Sequence, residues 1–225
     1  MKKLLVAAIA LFSLSATIAN SARAADPVID SSYDWSGIYA GGVVGYGWAE
    51  SQHCDGIDCD FSGPDVDSDG FMGGATLGYN HQLEQLVLGI EADYMFADVD
   101  GSTPPGSING YGCGSGCETD INGLGTVRAR LGFAVDRFMP FISGGVAIMD
   151  VEAALNTGSS DTFINPVAGL GVEFAFSDSV TIKAEYLHVF DNGEHFVFNN
   201  LCGAPGCGVK DVSLDVVRMG VNFQF

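Results

Sequence analysis

Apolar side chains recur at every second position through eight separate segments of this chain, and that two-residue period constrains its fold more than any other feature. The segments lie near 35–49, 69–82, 87–98, 122–135, 139–152, 163–176, 179–191 and 213–225. In the last, Val217, Met219, Val221, Phe223 and Phe225 share one face, while Arg218, Gly220, Asn222 and Gln224 share the other. The fourth sets Val127, Ala129, Leu131, Phe133 and Val135 against Thr126, Arg128 and Arg130. Leu88, Ile90, Ala92, Tyr94 and Phe96 oppose Glu91 and Asp93 in the third, and Glu173 stands against an apolar face in the sixth. Beyond the leader no stretch reaches the roughly 20 consecutive apolar residues of a membrane helix.

The leader is a processing signal. Lys2 and Lys3 precede the apolar run Leu4 to Leu14, and Ala22-Arg23-Ala24 supplies small residues at a cleavage site. The expected organisation is a signal peptide over 1–24, a short periplasmic segment over 25–34 and one β-domain over 35–225. An uncleaved membrane anchor would need a longer apolar run, and no cysteine at the junction provides for a lipid anchor.

Connections between the segments are of two kinds. Leu83 to Leu86, Asp136 to Phe138 and Ser177-Asp178 are short; 50–68, 99–121, 153–162 and 192–212 are long. Short turns at one end and long loops at the other, joining strands of about ten residues, is the pattern of outer-membrane barrels. Lipid forbids open sheet edges, so an alternating sheet in a membrane closes on itself. The expected fold is all-β: an eight-stranded antiparallel up-and-down transmembrane β-barrel. A soluble β-sandwich also alternates, but it buries its apolar face and does not require charged groups on the other face to meet inside.

Charge narrows the function. The chain carries 28 acidic and nine basic residues, a net −19, and Lys2, Lys3 and Arg23 lie before the cleavage point. The mature part therefore has six basic residues against 28 acidic, or −22. Nucleic acid is excluded as a partner, because phosphate neutralisation needs clustered Lys and Arg. A mean hydropathy of +0.24 beside this charge means that apolar and acidic residues are segregated along the chain. The long connections and their borders hold most of the acids.

Six cysteines form three close pairs, Cys54 with Cys59, Cys113 with Cys117 and Cys202 with Cys207. After export, local disulfides are the default; zinc, with His53 beside Cys54, is the alternative. Asp65, Asp67 and Asp69 followed by Gly70 match the first half of a calcium loop, although Thr76 stands where its bidentate glutamate belongs. The bland reading is an acidic surface that gathers divalent ions loosely beside lipopolysaccharide. His81, His188 and His195 are the candidate bases, but no nucleophile with an orienting carboxylate is evident, so no enzyme activity and no cofactor are expected. Trp35, Trp48, Tyr46, Tyr79 and Tyr186 read as interfacial girdle residues.

The opening YDWSGIYAGGVVGYGW (Tyr33 to Trp48) resembles the small outer-membrane immunogenic, porin-like proteins of alphaproteobacteria. The resemblance continues through GATLGYN, RARLGFAVDRFMPFISGGVA, GLGVEFAF and IKAEYLHV to the terminal VRMGVNFQF. It covers the strands and none of the long loops, and that family is similar to the barrel of outer-membrane protein A. It implies the fold and an outer-membrane location, and it implies that Phe225 is the signal read by the barrel-assembly machinery. The cysteine pairs lie outside the shared pattern.

Glu91, Asp93, Glu173 and Glu185 are expected to face inward with Arg128, Arg130, Lys183 and Arg218, four of each sign, in a lumen just wide enough for side chains to fill. The expected result is a satisfied polar plug rather than an open pore. The first functional expectation is structural, envelope integrity and surface display, with outer loops facing lipopolysaccharide and available to host components. The second is a small porin passing ions or small solutes.

Overall fold

The computed structural model describes residues 33–55, 61–104, 118–154, 158–193, 195–198 and 207–225. Nine strands form one sheet: β1 (Gly37–Asp55), β2 (Phe61–Leu83), β3 (Leu86–Ser102), β4 (Glu118–Phe133), β5 (Phe138–Ala154), β6 (Gly158–Ala175), β7 (Val180–Val189), β8 (His195–Phe198) and β9 (Cys207–Gln224). Every pairing is antiparallel, and β1 pairs with β9 to close the ring. The result is the expected eight-stranded barrel. The ninth strand, β8, continues the line of β7 and pairs with the outer end of β9, His195 opposite Lys210.

Turn chemistry sets the near end. Leu83 pairs with Leu86 around Glu84-Gln85, and Val135 with Phe138 around Asp136-Arg137. Glu84 and Asp136 take the left-handed backbone conformation (φ 56° and 54°) that so tight a hairpin requires.

The strands run well past the segments read from the sequence. β1 and β2 stay paired to Asp55–Phe61, so most of the stretch expected as a loop over 50–68 is sheet. A membrane strand needs about 9–11 residues; β2 has 23 and β6 has 18. Outward-facing residues show where the lipid ends. On β3 they run Leu86, Leu88, Ile90, Ala92, Tyr94, Phe96 and then Asp98 and Asp100. Ten residue steps at the usual rise and tilt span about 25 Å of bilayer, the height of an outer-membrane apolar band. The same change falls between Trp48 and Glu50 on β1, Phe71 and Asp69 on β2, Ile148 and Asp150 on β5, and Val217 and Asp215 on β9. Above that line the wall projects from the membrane with an acidic outer surface.

The interior is layered. Next to the short turns, Tyr33, Trp35, Val87, Ala134, Met139 and Ala175 form one apolar cluster. The charged layer lies above it. The outer half of the lumen, including Met72, Met95, Leu124, Met149, Leu187, Leu214 and Val216, is a second and larger apolar core. Among the described residues the ion pairs are thus confined to the middle of the interior, and the outer apolar core also holds buried Ser51, His53, Ser68, Thr119 and Asn165. Segments such as Val146-Ala147-Ile148-Met149 carry apolar residues on both faces, as a strand buried on one side and lipid-covered on the other must.

Candidate functional site

All eight charged residues singled out in the sequence point into the lumen, and none is more than 7% exposed. Strand register brings acid opposite base: Glu91 faces Arg128, Glu173 faces Lys183 and Glu185 faces Arg218. Arg128 bridges Glu91 (2.5 Å), Asp93 (2.7 Å) and Glu185. Arg218 holds Glu185 (2.7 Å) and Asp93 (3.0 Å). Lys183 reaches past its register partner to Glu91 at 2.7 Å, and Arg130 pairs with Glu173 at 2.6 Å. Glu91 is the hub, contacted by Arg128, Arg130, Lys183 and Arg218 and accepting a hydrogen bond from Tyr39 Oη at 2.7 Å. Four charges of each sign in one layer leave no net charge to be solvated. Charges removed from water are tolerable only when so paired and hydrogen-bonded.

The sequence reading missed the uncharged members. Tyr39 accepts from Arg130 (2.6 Å), Thr126 and Ser143 bind Asp93 and Glu185, and Thr181 and Asn222 both donate to Glu173. The Arg130 guanidinium also lies over the Phe141 ring, 4.1 Å from its centroid. Tyr39 sits on the glycine-rich first strand, where alternation is faint. Gly78 across from it makes room for the ring: a Cβ there would lie 2.3 Å from Tyr39 Cζ and push the hydroxyl off Glu91 and Arg130.

Other residues read from the sequence are placed differently. Trp35 is not a girdle residue: it is 1% exposed, inside the turn-side mouth of the barrel, with Tyr33 packed edge-on at 4.7 Å. It lies ahead of β1, in the non-strand lead-in 33–36, and not in the first strand as the segment 35–49 implied. Trp48, Tyr46 and Tyr79 do face outward at the band. Tyr46 donates to Asp69, and Tyr186 donates to Asp215 at the same border.

The calcium-loop expectation is corrected. Asp65, Asp67 and Asp69 sit on the extended strand β2 with all three exposed on its outer face, Asp65 accepting from Gln52. An extended backbone cannot wrap an ion as a calcium loop does. Among the described residues no group of three His, Cys, Asp or Glu side chains is placed to hold a metal.

His188 does have an orienting carboxylate, Asp215 at 2.7 Å, but no hydroxyl or thiol bonds its other nitrogen among the described residues. His81 is exposed on the outer face of β2. The His195 side chain, Cys59, Cys113, Cys117, Cys202 and the Cys207 side chain lie outside the described residues; Cys54 is disulfide-bonded. His53 is buried in the extramembrane part of the wall, with Nε2 2.9 Å from Thr119 Oγ1, and burial lowers its pKa to about 4.

A closed antiparallel barrel with a lipid-facing apolar band, short turns at one end and a paired charge layer inside defines an integral outer-membrane barrel protein. The family described as outer membrane protein beta-barrel domain matches residues 7–225, and the chain belongs to it. It is 34% identical to the 31 kDa outer-membrane immunogenic protein of Brucella melitensis biotype 1, over 96% of this chain and 98% of that one. A 22 kDa outer membrane protein of Rhizobium leguminosarum bv. viciae is 28% identical over 49% of this chain and 50% of its own length. Among solved structures, the outer membrane protein OprG from Pseudomonas aeruginosa matches the fold with a TM-score of 0.50 at 13% identity, covering 84% of this chain and 96% of that one. The resemblance to alphaproteobacterial immunogenic barrels is borne out, and the protein is located in the bacterial outer membrane.

Proposed function

We propose that the protein is a non-conducting structural and surface-display barrel of the outer membrane rather than a porin or an enzyme. The observation that carries this reading is the filled lumen. A permeating ion would have to displace the ion pairs around Glu91 and then cross the layer of Met95, Leu124, Met149, Leu187 and Leu214, each 0% exposed. An apolar layer of that kind excludes ions by excluding water. The acidic outer wall and the loops above it serve contact with lipopolysaccharide, through divalent ions, and with host components. The barrel-assembly machinery is the partner for insertion.

Single-channel recording in planar bilayers tests the proposal. Purified, folded protein is expected to leave the bilayer at baseline at ±100 mV (roughly the scale of a membrane potential). A steady, reproducible conductance would show an open interior and establish the porin reading instead.

A further inference from the structure

The residues just before β1 make an arrangement that neither the lipid band nor the charge layer requires. Tyr33 to Ser36 cross the turn-side mouth of the barrel and are held from both sides of the β1–β9 seam. On one side Tyr33 Oη donates to Gln224 Oε1 at 2.6 Å, and Gln224 Nε2 donates to the carbonyl oxygens of Asp34 (3.0 Å) and Ser36 (2.8 Å). On the other side the Trp35 N–H donates to Gln82 Oε1 at 2.8 Å, and the Gln82 N–H donates to Ser36 Oγ at 3.1 Å. Between these clamps the Trp35 ring fills the mouth in one apolar cluster with Val87, Ala134, Met139 and Ala175. A four-residue strap therefore draws its contacts from β2, β3, β5, β6, β9 and the β4–β5 turn.

We propose that Tyr33–Ser36 is a latch that docks last, onto the already closed barrel, and holds it closed kinetically. The socket for Trp35 does not exist until five strands and a turn are in place, and the Gln224 clamp joins positions 188 to 191 residues apart in the chain. Contacts with that much loop-closure entropy behind them form after the transition state. Interactions absent from the transition state act on the unfolding rate and leave the folding rate alone. The proposal does not depend on whether the lumen conducts.

The test uses the mature chain refolded from urea into detergent micelles or vesicles. With W48F as background, Trp35 is the one remaining tryptophan, since the chain has two. Its emission is expected to shift to the blue together with, or after, the appearance of the heat-resistant gel band; a shift that precedes the band overturns the proposal. Trp35→Ala is expected to unfold roughly 100-fold faster while refolding within about twofold of the parent. A smaller change, Gln224→Ala, should speed unfolding by roughly tenfold with the same unchanged refolding. Refolding slowed in proportion to unfolding in either variant, or a Trp35→Ala chain that cannot close at all, places the segment in the folding nucleus and overturns the latch. Gln224→Ala removes all three hydrogen bonds of the clamp, and its unfolding as slowly as the parent would overturn the Gln224 clamp.

Discussion

Glu91 shows how much one buried side chain can carry. Four cations and the Tyr39 hydroxyl converge on its carboxylate, so Glu91→Gln leaves Arg128, Arg130 and Lys183 short of charge in a space that water does not reach. The expected loss is about 3–5 kcal/mol. Arg130 shares Glu91 with three other cations, so Glu91→Gln with Arg130→Gln should cost less than the two single changes summed. The heat-modifiable folded band, followed through a urea series for both singles and the double, measures this; simple additivity would show that the two residues are not coupled. His53 sets a second residue-scale expectation. Burial depresses its pKa to about 4, while in the unfolded chain it titrates near 6.5. Its neutral form adds no pH dependence above about pH 6.5, and the folded state loses ground as pH falls from there to about 4, by roughly 3 kcal/mol. Asp120 acts in the opposite sense, its pKa raised by burial and then by Glu118, Asp100, Glu152 and Asp98. His53→Leu is therefore expected to become less acid-sensitive than the parent when the folded band is titrated between pH 7.5 and 4. An unchanged acid midpoint would show that the imidazole stays accessible to protons in the folded barrel.

At the scale of elements, the last strand and the loop tips behave differently. β9 closes the barrel on β1, its Phe225 N–H donates to Ile38 carbonyl at 2.9 Å, and the Phe225 ring is 77% exposed on the lipid side. So open a ring contributes little packing, which suits a recognition signal more than a structural role. Deleting Phe225 is expected to lower the amount inserted in the outer membrane, read by fractionation and immunoblotting, while protein refolded without the assembly machinery keeps its stability. Normal membrane levels of the truncated chain would remove the signal role. Cys54 is disulfide-bonded and lies near the outer end of β1, beyond the lipid band, where a ring of a few residues would stiffen a tip and hardly touch the barrel. Non-reducing peptide mapping is expected to recover Cys54–Cys59, Cys113–Cys117 and Cys202–Cys207, with the heat-modifiable band unchanged after reduction. Bridges between different loops would overturn the local pairing.

For the whole molecule, the barrel is a wall longer than its membrane, capped inside by two apolar layers with a neutral ionic layer between them. The class of fold was determined by the sequence alone, because side chains on a strand alternate by geometry and lipid admits an alternating sheet only when it closes. The inward direction of Glu91, Arg128, Glu173 and Arg218 followed from the same parity, since a charge opposite a row of Leu, Val and Phe has only the lumen to enter. Parity is silent where both faces are apolar or both are small. The second apolar core around Met95 and Leu214, and the inward turn of Tyr39 on its glycine-rich strand, were for that reason decided only in three dimensions. The acidic stretch of β2 read as loop because polar residues favour water, whether they lie in a loop or on the outer face of a strand that has left the bilayer. Asp65 and Asp67 became strand through their ladder to Gln52 and Glu50 of β1. Which cation meets which acid was also a tertiary decision: register sets Lys183 opposite Glu173, yet its ammonium reaches Glu91 because the curvature of a closed barrel brings distant strands within one side chain's length. Trp35 makes the same point from outside the strands. Its parity already set it opposite Trp48 and Tyr46, but only the assembled mouth of the barrel offers it a place to be buried.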